Sequence, residues 1–571
     1  MNGARLLDSR RLTGPNLVSP GPAALLDVAC PDDAADRLAA AWGARIEDLF
    51  EALGRRVPRR CTRDWPGGIS LAFTAPIDAL YASTDLAEWA LDAALRDLRG
   101  ERVEGRAEAL RAAHAALAAE ANPALLALEA EARRRDVAFL WDDDAVSVGM
   151  GTGSRTWPAR DPPAPDAVDW TRIHDIPSVV VTGTNGKTTV VRLAAAMGEA
   201  AGRTVGTTTT DGIRVGDEWV DRDDYSGPGG ARALLRDRRV EVALLETARG
   251  GLLRRGVAFT GADGAVVTNV AEDHLGEYGV HDLTALVQAK LTAGLARRPG
   301  APIALNADDA GLVAASERLA GPITWFGTRP DSPLLRSHLR AGGDVVVVED
   351  GRIRRNRSGR LVDVVPVDEV PVTLGGAARH NVSNALAAVA AGGALGLPYD
   401  AIAGGLLSVA GTSEDNPGRG NLYDIEGTRV LVDFVHNPHG FAMLGAMARA
   451  LGPARLLVVV GHAGDRGDDA IRELARAAWA MGPDRVIVKE LRGYLRGRAE
   501  GEVPAIIAEE MRSLGAPADT LDAAADEVEA VRRALAWARP GDLVILPTHE
   551  DREGVEAVLR EAGARPVGGE P

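Results

Sequence analysis

Between positions 176 and 201 the chain changes its hydrophobic period. Residues 176–182 are a nearly unbroken apolar run, a Gly-bearing turn follows, and residues 190–201 carry apolar positions at helical spacing. That pattern predicts strand, loop, helix. Strand-like runs recur at 240–245, 264–269 and 303–306, with helical patterns at 283–297 and 381–395. Such alternation predicts a largely parallel sheet. A β-rich insert around 345–372, turning at Glu349-Asp350, reads as a hairpin excursion. After a Gly/Pro-rich joint at 411–420, runs at 430–434, 455–460, 485–489 and 543–547 with helices between them predict a second α/β unit. Upstream, the Ala-rich residues 84–135 predict helix, and Pro158, Pro162, Pro163 and Pro165 mark a linker. There is no short internal repeat.

A length of 571 residues sets an expectation of about three to four domains at roughly 150 residues each. With 46% hydrophobic residues the chain can build cores. A net charge of −16 argues against a general nucleic-acid or anionic-membrane binder. Two cysteines, Cys30 and Cys61, exclude a disulfide framework and a Cys-based zinc cluster. No apolar run reaches the roughly 18 residues that span a bilayer, and the first 20 residues lack a signal-peptide core. A soluble cytoplasmic protein is expected, with no nucleic-acid or membrane partner and with assembly into a homo-oligomer. The basic residues add a sharper clue. Of 65, all but Lys187, Lys290 and Lys489 are Arg. A drift towards Arg empties a surface of Lys and spares sites that need a compact amine, so these three are suspects.

Each suspect meets a motif or a strand end. Val181-Thr-Gly183-Thr184-Asn185-Gly186-Lys187-Thr188-Thr189 lies between a strand and a helix. Backbone N–H groups there can cradle phosphates, Lys187 can reach the β/γ-phosphates and Thr188 can meet Mg²⁺. The general phosphate-loop pattern would place Gly at 181, where this chain has Val. Glu246 ends a strand at the mouth where open α/β sheets bind ligands, so it can hold the same ion, cap a helix or be a surface acid. Arg249 and Arg254 follow it and could meet an anion or solvent. His274, in Thr268-Asn-Val-Ala-Glu-Asp-His274, is a metal ligand or a structural histidine, and Lys290, on the following helix, is a solvated lysine unless the scarcity of Lys marks it as functional. Lys489 is either an exposed strand-end lysine or part of an amino-acid site, and Asp465, Arg466 and His549 sit on comparable strand-end loops. Trp65-Pro-Gly-Gly68 and Asp78 to Tyr81 are either substrate-facing or structural turns.

This order of motifs resembles the Mur ligase superfamily, whose phosphate loop has the shortened form seen here. Asn306-Ala-Asp308-Asp309, His380-Asn381-Val-Ser-Asn384, Gly418-Arg419 and Asp433-Phe-Val-His436-Asn437-Pro438 continue the match in family order. Thr207 to Gly212, Glu246 to Gly251, Asn416 to Arg419, Gly464-Asp465-Arg466 and Leu495-Arg-Gly-Arg498 resemble the cyanophycin synthetase subfamily, as do Arg11 to Asn16 and Val146 to Gly151. Only the Pro-rich linker separates that last segment from the phosphate loop. The ATP-grasp domain of the subfamily, which adds aspartate to the main chain, has no room there.

The resemblance implies an α/β fold of three domains. These are an α+β N-terminal domain (1–160), a central P-loop ATPase with a mainly parallel sheet (170–412) and a Rossmann-like C-terminal domain (413–571). It also implies an ATP-dependent ligase that turns a carboxylate into an acyl phosphate and couples it to an amino-acid amine, with arginine onto an aspartate side chain as the subfamily's reaction. Gly183 to Thr189, Asn384, Arg419 and Asp433 would bind ATP. Thr188 and Glu246 would hold a first Mg²⁺, and His274 with Lys290, carbamylated, a second. Lys187, His274, Lys290 and Arg419 would be catalytic. Ser226-Gly227-Pro228 would position the acceptor acid. Three rivals are a ligase for a specialised acid, a silent nucleotide-binding subunit and a P-loop kinase or switch NTPase.

Overall fold

The computed structural model describes residues 3–273, 275–357 and 359–567. The chain divides into two compact units. The first comprises Met1–Phe326, Asp331–Val345 and Ala387–Pro398, and the second comprises Gly327–Pro330, Val346–Leu386 and Tyr399–Pro571.

The first unit opens with β1 (Arg5–Leu12), β2 (Ala23–Ala29), β3 (Arg60–Trp65) and β4 (Gly68–Thr74), an antiparallel sheet in the order β1-β2-β4-β3. Helices α1 (Ala35–Ala52) and α2 (Leu80–Arg99) bury Leu38, Trp42, Ile46, Leu86 and Leu91 in one core with Leu26, Leu71 and Phe73 of the sheet. Burying each such side chain contributes about 1.5–3 kcal/mol. The helical pattern over 84–135 is not one element. Gly100 (φ 73°) closes α2 in the left-handed conformation, and α3 (Arg106–Glu120) and α4 (Pro123–Arg134) follow. Asn122 caps α4, accepting from Leu125 N, with Pro123 in the first turn. Strands β5 (Phe139–Trp141), β6 (Ala145–Val148) and β7 (Arg155–Pro158) form a small antiparallel sheet, so Pro158 ends a strand before the expected linker.

The phosphate-loop sheet contains β8 (Ser178–Thr182), β9 (Val205–Thr209), β10 (Gly212–Val215), β11 (Glu218–Asp221), β12 (Val242–Glu246), β13 (Gly264–Val267), β14 (Ile303–Asn306) and β15 (Ile323–Gly327). Their order is β11-β10-β9-β12-β8-β13-β14-β15. From β9 through β15 every neighbouring pair is parallel, as the alternation predicts, and β10 and β11 continue the sheet antiparallel beyond β9. Helices α5 (Lys187–Ala200), α6 (Pro228–Arg236), α7 (Arg249–Arg255) and α8 (Leu283–Leu291) connect them. Glu246 pairs with Val181, so the loops after β8 and β12 leave the same edge side by side.

The second unit includes the antiparallel meander β16 (Asp344–Glu349), β17 (Arg352–Arg357) and β18 (Arg360–Pro366), the expected excursion. Its main sheet adds β19 (Arg419–Ile425), β20 (Thr428–Asp433), β21 (Leu456–Val460), β22 (Arg485–Lys489), β23 (Leu521–Ala524), β24 (Leu543–Pro547) and β25 (Arg565–Pro566). The order is β23-β22-β21-β24-β20-β19-β25, parallel from β23 to β20 and antiparallel beyond. Helices cover both faces, with Leu431, Val458 and Ile545 in one core and Val430, Val459 and Val544 in the other. Among the described residues no helix is long and apolar enough to cross a membrane.

Candidate functional site

Gly183 leaves β8 at φ +150°, and a Cβ there would lie 1.9 Å from Thr268 Oγ1. Gly186 (φ 84°) turns the chain into α5, whose first residue is Lys187. Both positions therefore need glycine. The loop is braced from below by the segment after β13. Thr184 N donates to Asn269 O (2.8 Å) and Asn185 N to Asn269 Oδ1 (3.0 Å), while Thr268 Oγ1 donates to Asn185 O (2.6 Å). Asn306 Nδ2 donates to Thr268 O (3.0 Å), and Asp309 Oδ2 accepts from Val270 N (2.6 Å). The Asn306-Ala-Asp-Asp309 turn thus props the residues that prop the phosphate loop. Thr268 and Asn269 were quoted in the sequence only as part of the His274 motif. Their bracing depends on strand pairing that spacing alone does not reveal.

Thr188 Oγ1 donates to Glu246 Oε2 at 2.8 Å, with Glu246 only 1% exposed. Lys187 Nζ lies 3.9 Å from Glu246 Oε1 and donates to Thr184 O (3.1 Å). A hydroxyl and a carboxylate beside an amide-lined loop are the hard oxygen donors Mg²⁺ takes when phosphate and water complete its shell. That donor set fits the ion. Among the described residues no group of three or more His, Cys, Asp or Glu side chains could hold a metal alone.

Lys290, on the last turn of α8, is 3% exposed. Burial, reinforced by Lys187 and Arg249, pushes its amine down to about 7, against the pull of Asp273. Much of it is therefore neutral at neutral pH. His274 lies outside the described residues. Arg249 is buried and pairs with Glu277 at 2.5 Å, which decides between its two sequence readings against a solvent-facing side chain. Arg254 bonds back to Gly250 O (3.3 Å) in an exposed position. Ser226 is buried and its carbonyl accepts from Ala248 N (2.7 Å), tying the Ser226-Gly-Pro turn to the loop after Glu246.

In the second unit, Asn384 Nδ2 donates to Asn381 Oδ1 (3.0 Å) on the helix Arg379–Ala394, and Asn381 Nδ2 to Val372 O (2.9 Å). Arg419 and Asp433 are register partners across β19 and β20, and the Arg419 guanidinium lies 4.4 Å from the Phe434 ring centre. Burial raises the Asp433 carboxyl to about 6, although Arg419 and the backbone N–H groups of Gly420, Phe434 and Val435 favour its charged form.

Lys489 is not the exposed strand-end lysine that was one of its two readings. It is 1% exposed, ion-paired to Glu527 and bonded to Pro547 O. Glu527 also accepts from the N–H groups of His549, Glu550 and Asp551. Against burial, the His549 side chain and Lys489 hold its carboxyl well below the usual range. His549 Nε2 lies 2.8 Å from Val435 O, and burial pushes its imidazole down to about 4. Arg498 braces the Asp465–Arg466 loop, donating to Gly464 O (2.9 Å) and Arg466 O (2.7 Å). Trp65 is buried against His281, Asp78 accepts from Asn122 N, and Tyr81, exposed on the first turn of α2, donates from its OH to Asp143.

Known proteins resemble this chain in sequence and fold. Residues 181–392 match the Mur ligase middle domain, and residues 418–547 match the Mur ligase glutamate ligase domain. Cyanophycin synthetase from Trichormus variabilis is 36% identical over 371 residues, 65% of this chain and 41% of that protein. The chain thus spans about two fifths of the length of the cyanophycin synthetases it matches. The UDP-N-acetylmuramoyl-L-alanyl-D-glutamate--2,6-diaminopimelate ligase of Geobacter metallireducens is 30% identical over 69% of this chain and 80% of its own length. The fold is also that of E. coli FolC, solved with DHPP and ADP, at a TM-score of 0.50 and 20% identity over 68% of this chain and 88% of that one. With both domain families matched in sequence order and a ligase covered over four fifths of its length, this chain belongs to the Mur ligase family.

Proposed function

We propose that the protein is an ATP-dependent acid–amino acid ligase. It activates a carboxylate as an acyl phosphate, then couples it to an amine with release of ADP and phosphate. The observation that carries this reading is the Thr188–Glu246 pair beside Lys187 at the end of the phosphate loop. Family membership and the names of the relatives support it, and arginine onto an aspartate-type side chain is the substrate reading taken from the cyanophycin synthetases. We further propose the three-part organisation 1–160, 170–412 and 413–571, and a role in the cytoplasm.

Physically, the reaction asks for positioning and charge neutralisation more than for covalent catalysis. The amides of Gly183 to Gly186 would receive phosphate oxygens, and Lys187 would neutralise the β/γ-phosphates. Thr188 and Glu246 would hold Mg²⁺, which supplies charge to the transferring phosphoryl group when bound. Lys290, with a substantial neutral fraction, can take up CO₂ as a carbamate with loss of one proton. It would then share a second ion with His274. Asn384 would meet adenine, Asp433 the ribose and Arg419 the γ-phosphate.

The test is ADP release with ATP and Mg²⁺ over a matrix of amino acids and carboxylate acceptors, Asp-containing dipeptides included, with product masses read in parallel. ADP formed only with acid and amine together, and a product lighter than their sum by one water, is the expected result. ADP released without any amine, and no condensed product, would replace the ligase by an NTPase.

A further inference from the structure

The N-terminal sheet does more than cover the ATPase. Three of its side chains converge on one tight turn, Glu277 to Val280, between β13 and α8. Val280 N donates to Glu277 O (3.0 Å), and the two central residues, Tyr278 (φ 54°) and Gly279 (φ 66°), are both left-handed. A tyrosine in that conformation is strained and needs outside support. Arg63 of β3 supplies it. Its Nη2 donates to Tyr278 O (3.1 Å) and to Gly279 O (2.8 Å). Arg10 of β1 lies 4.8 Å from the Tyr278 ring centre, and Trp65 stacks on His281 at 5.0 Å. The fit leaves no space, because a Cβ on Gly279 would come within 2.6–2.8 Å of Trp65 and Arg63.

The same sheet holds α7. Arg10 Nε donates to Leu253 O (3.0 Å) and Thr13 N to Arg255 O (2.8 Å), while Asp27 fixes the Arg10 guanidinium at 2.6 Å and is fixed in turn by Ser70. The turn and α7 are joined at the centre by the Arg249–Glu277 pair. Arg249 starts α7 three residues after Glu246 and is one of the charges acting on Lys290, and Asp282, just beyond the turn, caps the helix that carries Lys290.

We infer that the N-terminal sheet is a positioning clamp, in which Arg63 and Arg10 hold the Glu277–Val280 turn and α7 at a fixed spacing and so keep Arg249 seated on Glu277. Arg63 is a positioning residue. It touches only backbone carbonyls of the turn and acts through Glu277. The clamp explains why an ATP-site unit of this kind carries an N-terminal layer in intimate contact with it. Its catalytic consequence rests on the ligase reading.

Arg63→Ala and Arg63→Lys in the full chain test it, with two readouts. Amide exchange should accelerate in residues 249–255 and 276–282 of Arg63→Ala and stay at the wild-type rate in α5. The kcat for amide formation should fall by about 10–100-fold with KM for ATP nearly unchanged. Arg63→Lys should fall between, since one ammonium cannot span two carbonyls as a guanidinium does. Unchanged exchange in both segments would overturn the clamp. So would exchange rising evenly over the whole chain, or accelerated exchange with kcat intact. Should wild-type protein form no amide from any pair tried, the ligase reading falls, and the exchange pattern alone decides the clamp.

Discussion

Thr188 Oγ1 and Glu246 Oε2 stand 2.8 Å apart, linking the first turn of α5 to the last residue of β12. The link follows from register, because Glu246 pairs with Val181 and the two loops must emerge together. Glu246→Gln keeps the shape and the hydrogen bond but removes the charge. Turnover should fall by about 10²-fold or more, with the shortfall partly relieved by excess Mg²⁺. Steady-state ADP release across a Mg²⁺ titration checks it, and full activity in Glu246→Gln would remove this residue from the metal site.

Gly183→Ala should abolish nucleotide binding. The position demands φ +150°, and the new methyl would meet Thr268 Oγ1 at 1.9 Å. Trimming the neighbour as well, in Gly183→Ala/Thr268→Ala, relieves the contact but not the backbone strain. Equilibrium binding of a fluorescent ADP should therefore stay lost in both variants.

Lys290→Arg should be inactive although it retains a basic side chain. A guanidinium cannot lose its proton in that buried place and cannot become a carbamate. Lys290→Met should leave nucleotide affinity close to that of the wild type and lower kcat by roughly 10²-fold. Retained turnover in either variant would end the role assigned to this lysine.

Asp433 predicts a pH dependence. Its carboxyl sits at about 6 in the folded protein against an ordinary 3.8, so between those values the folded state binds more protons than the unfolded one. Its contribution to stability therefore falls as pH rises through that window and is constant above it. With Asp433 at the ribose, as proposed, nucleotide binding would have the opposite sign, because such a contact wants the carboxylate. Nucleotide affinity should strengthen as pH climbs from about 5 to about 7, and Asp433→Asn should flatten both profiles. Binding measured at a series of pH values, with melting curves alongside, tests the pair.

Breaking the Lys489–Glu527 pair should cost about 3–5 kcal/mol, because either partner alone is left as a buried charge. Lys489→Met should thus melt well below the wild type. Removing the charge of Glu527 as well should recover part of the loss. A Lys489→Met protein as stable as the wild type would contradict a stabilising role for this pair.

The parallel strands were legible because they are buried on both faces. Ile303–Asn306, Arg485–Lys489 and Leu543–Pro547 lie at the predicted positions. The N-terminal sheet was not legible strand by strand. Its edge strand β3, Arg-Cys-Thr-Arg-Asp-Trp, alternates in exposure, but Arg63 takes one of the inward positions, so the hydrophobic pattern does not show it. The phosphate loop could be read because its chemistry is local. Lys489 could not be placed, because its partner lies 38 residues further on and only the sheet brings the two together. The bracing by Thr268, Asn269 and Asn306 was hidden for the same reason.

The placement of the three lysines has a practical corollary. Lys187 opens a helix, Lys290 closes one and Lys489 ends a central strand, all in regular backbone that a protease cannot extend into its cleft. Digestion by a lysine-specific endoprotease should therefore be silent on the native protein. Once a unit opens, cleavage should fall at the lysine it holds, so the order in which the three cuts appear becomes a direct reading of which part lets go first.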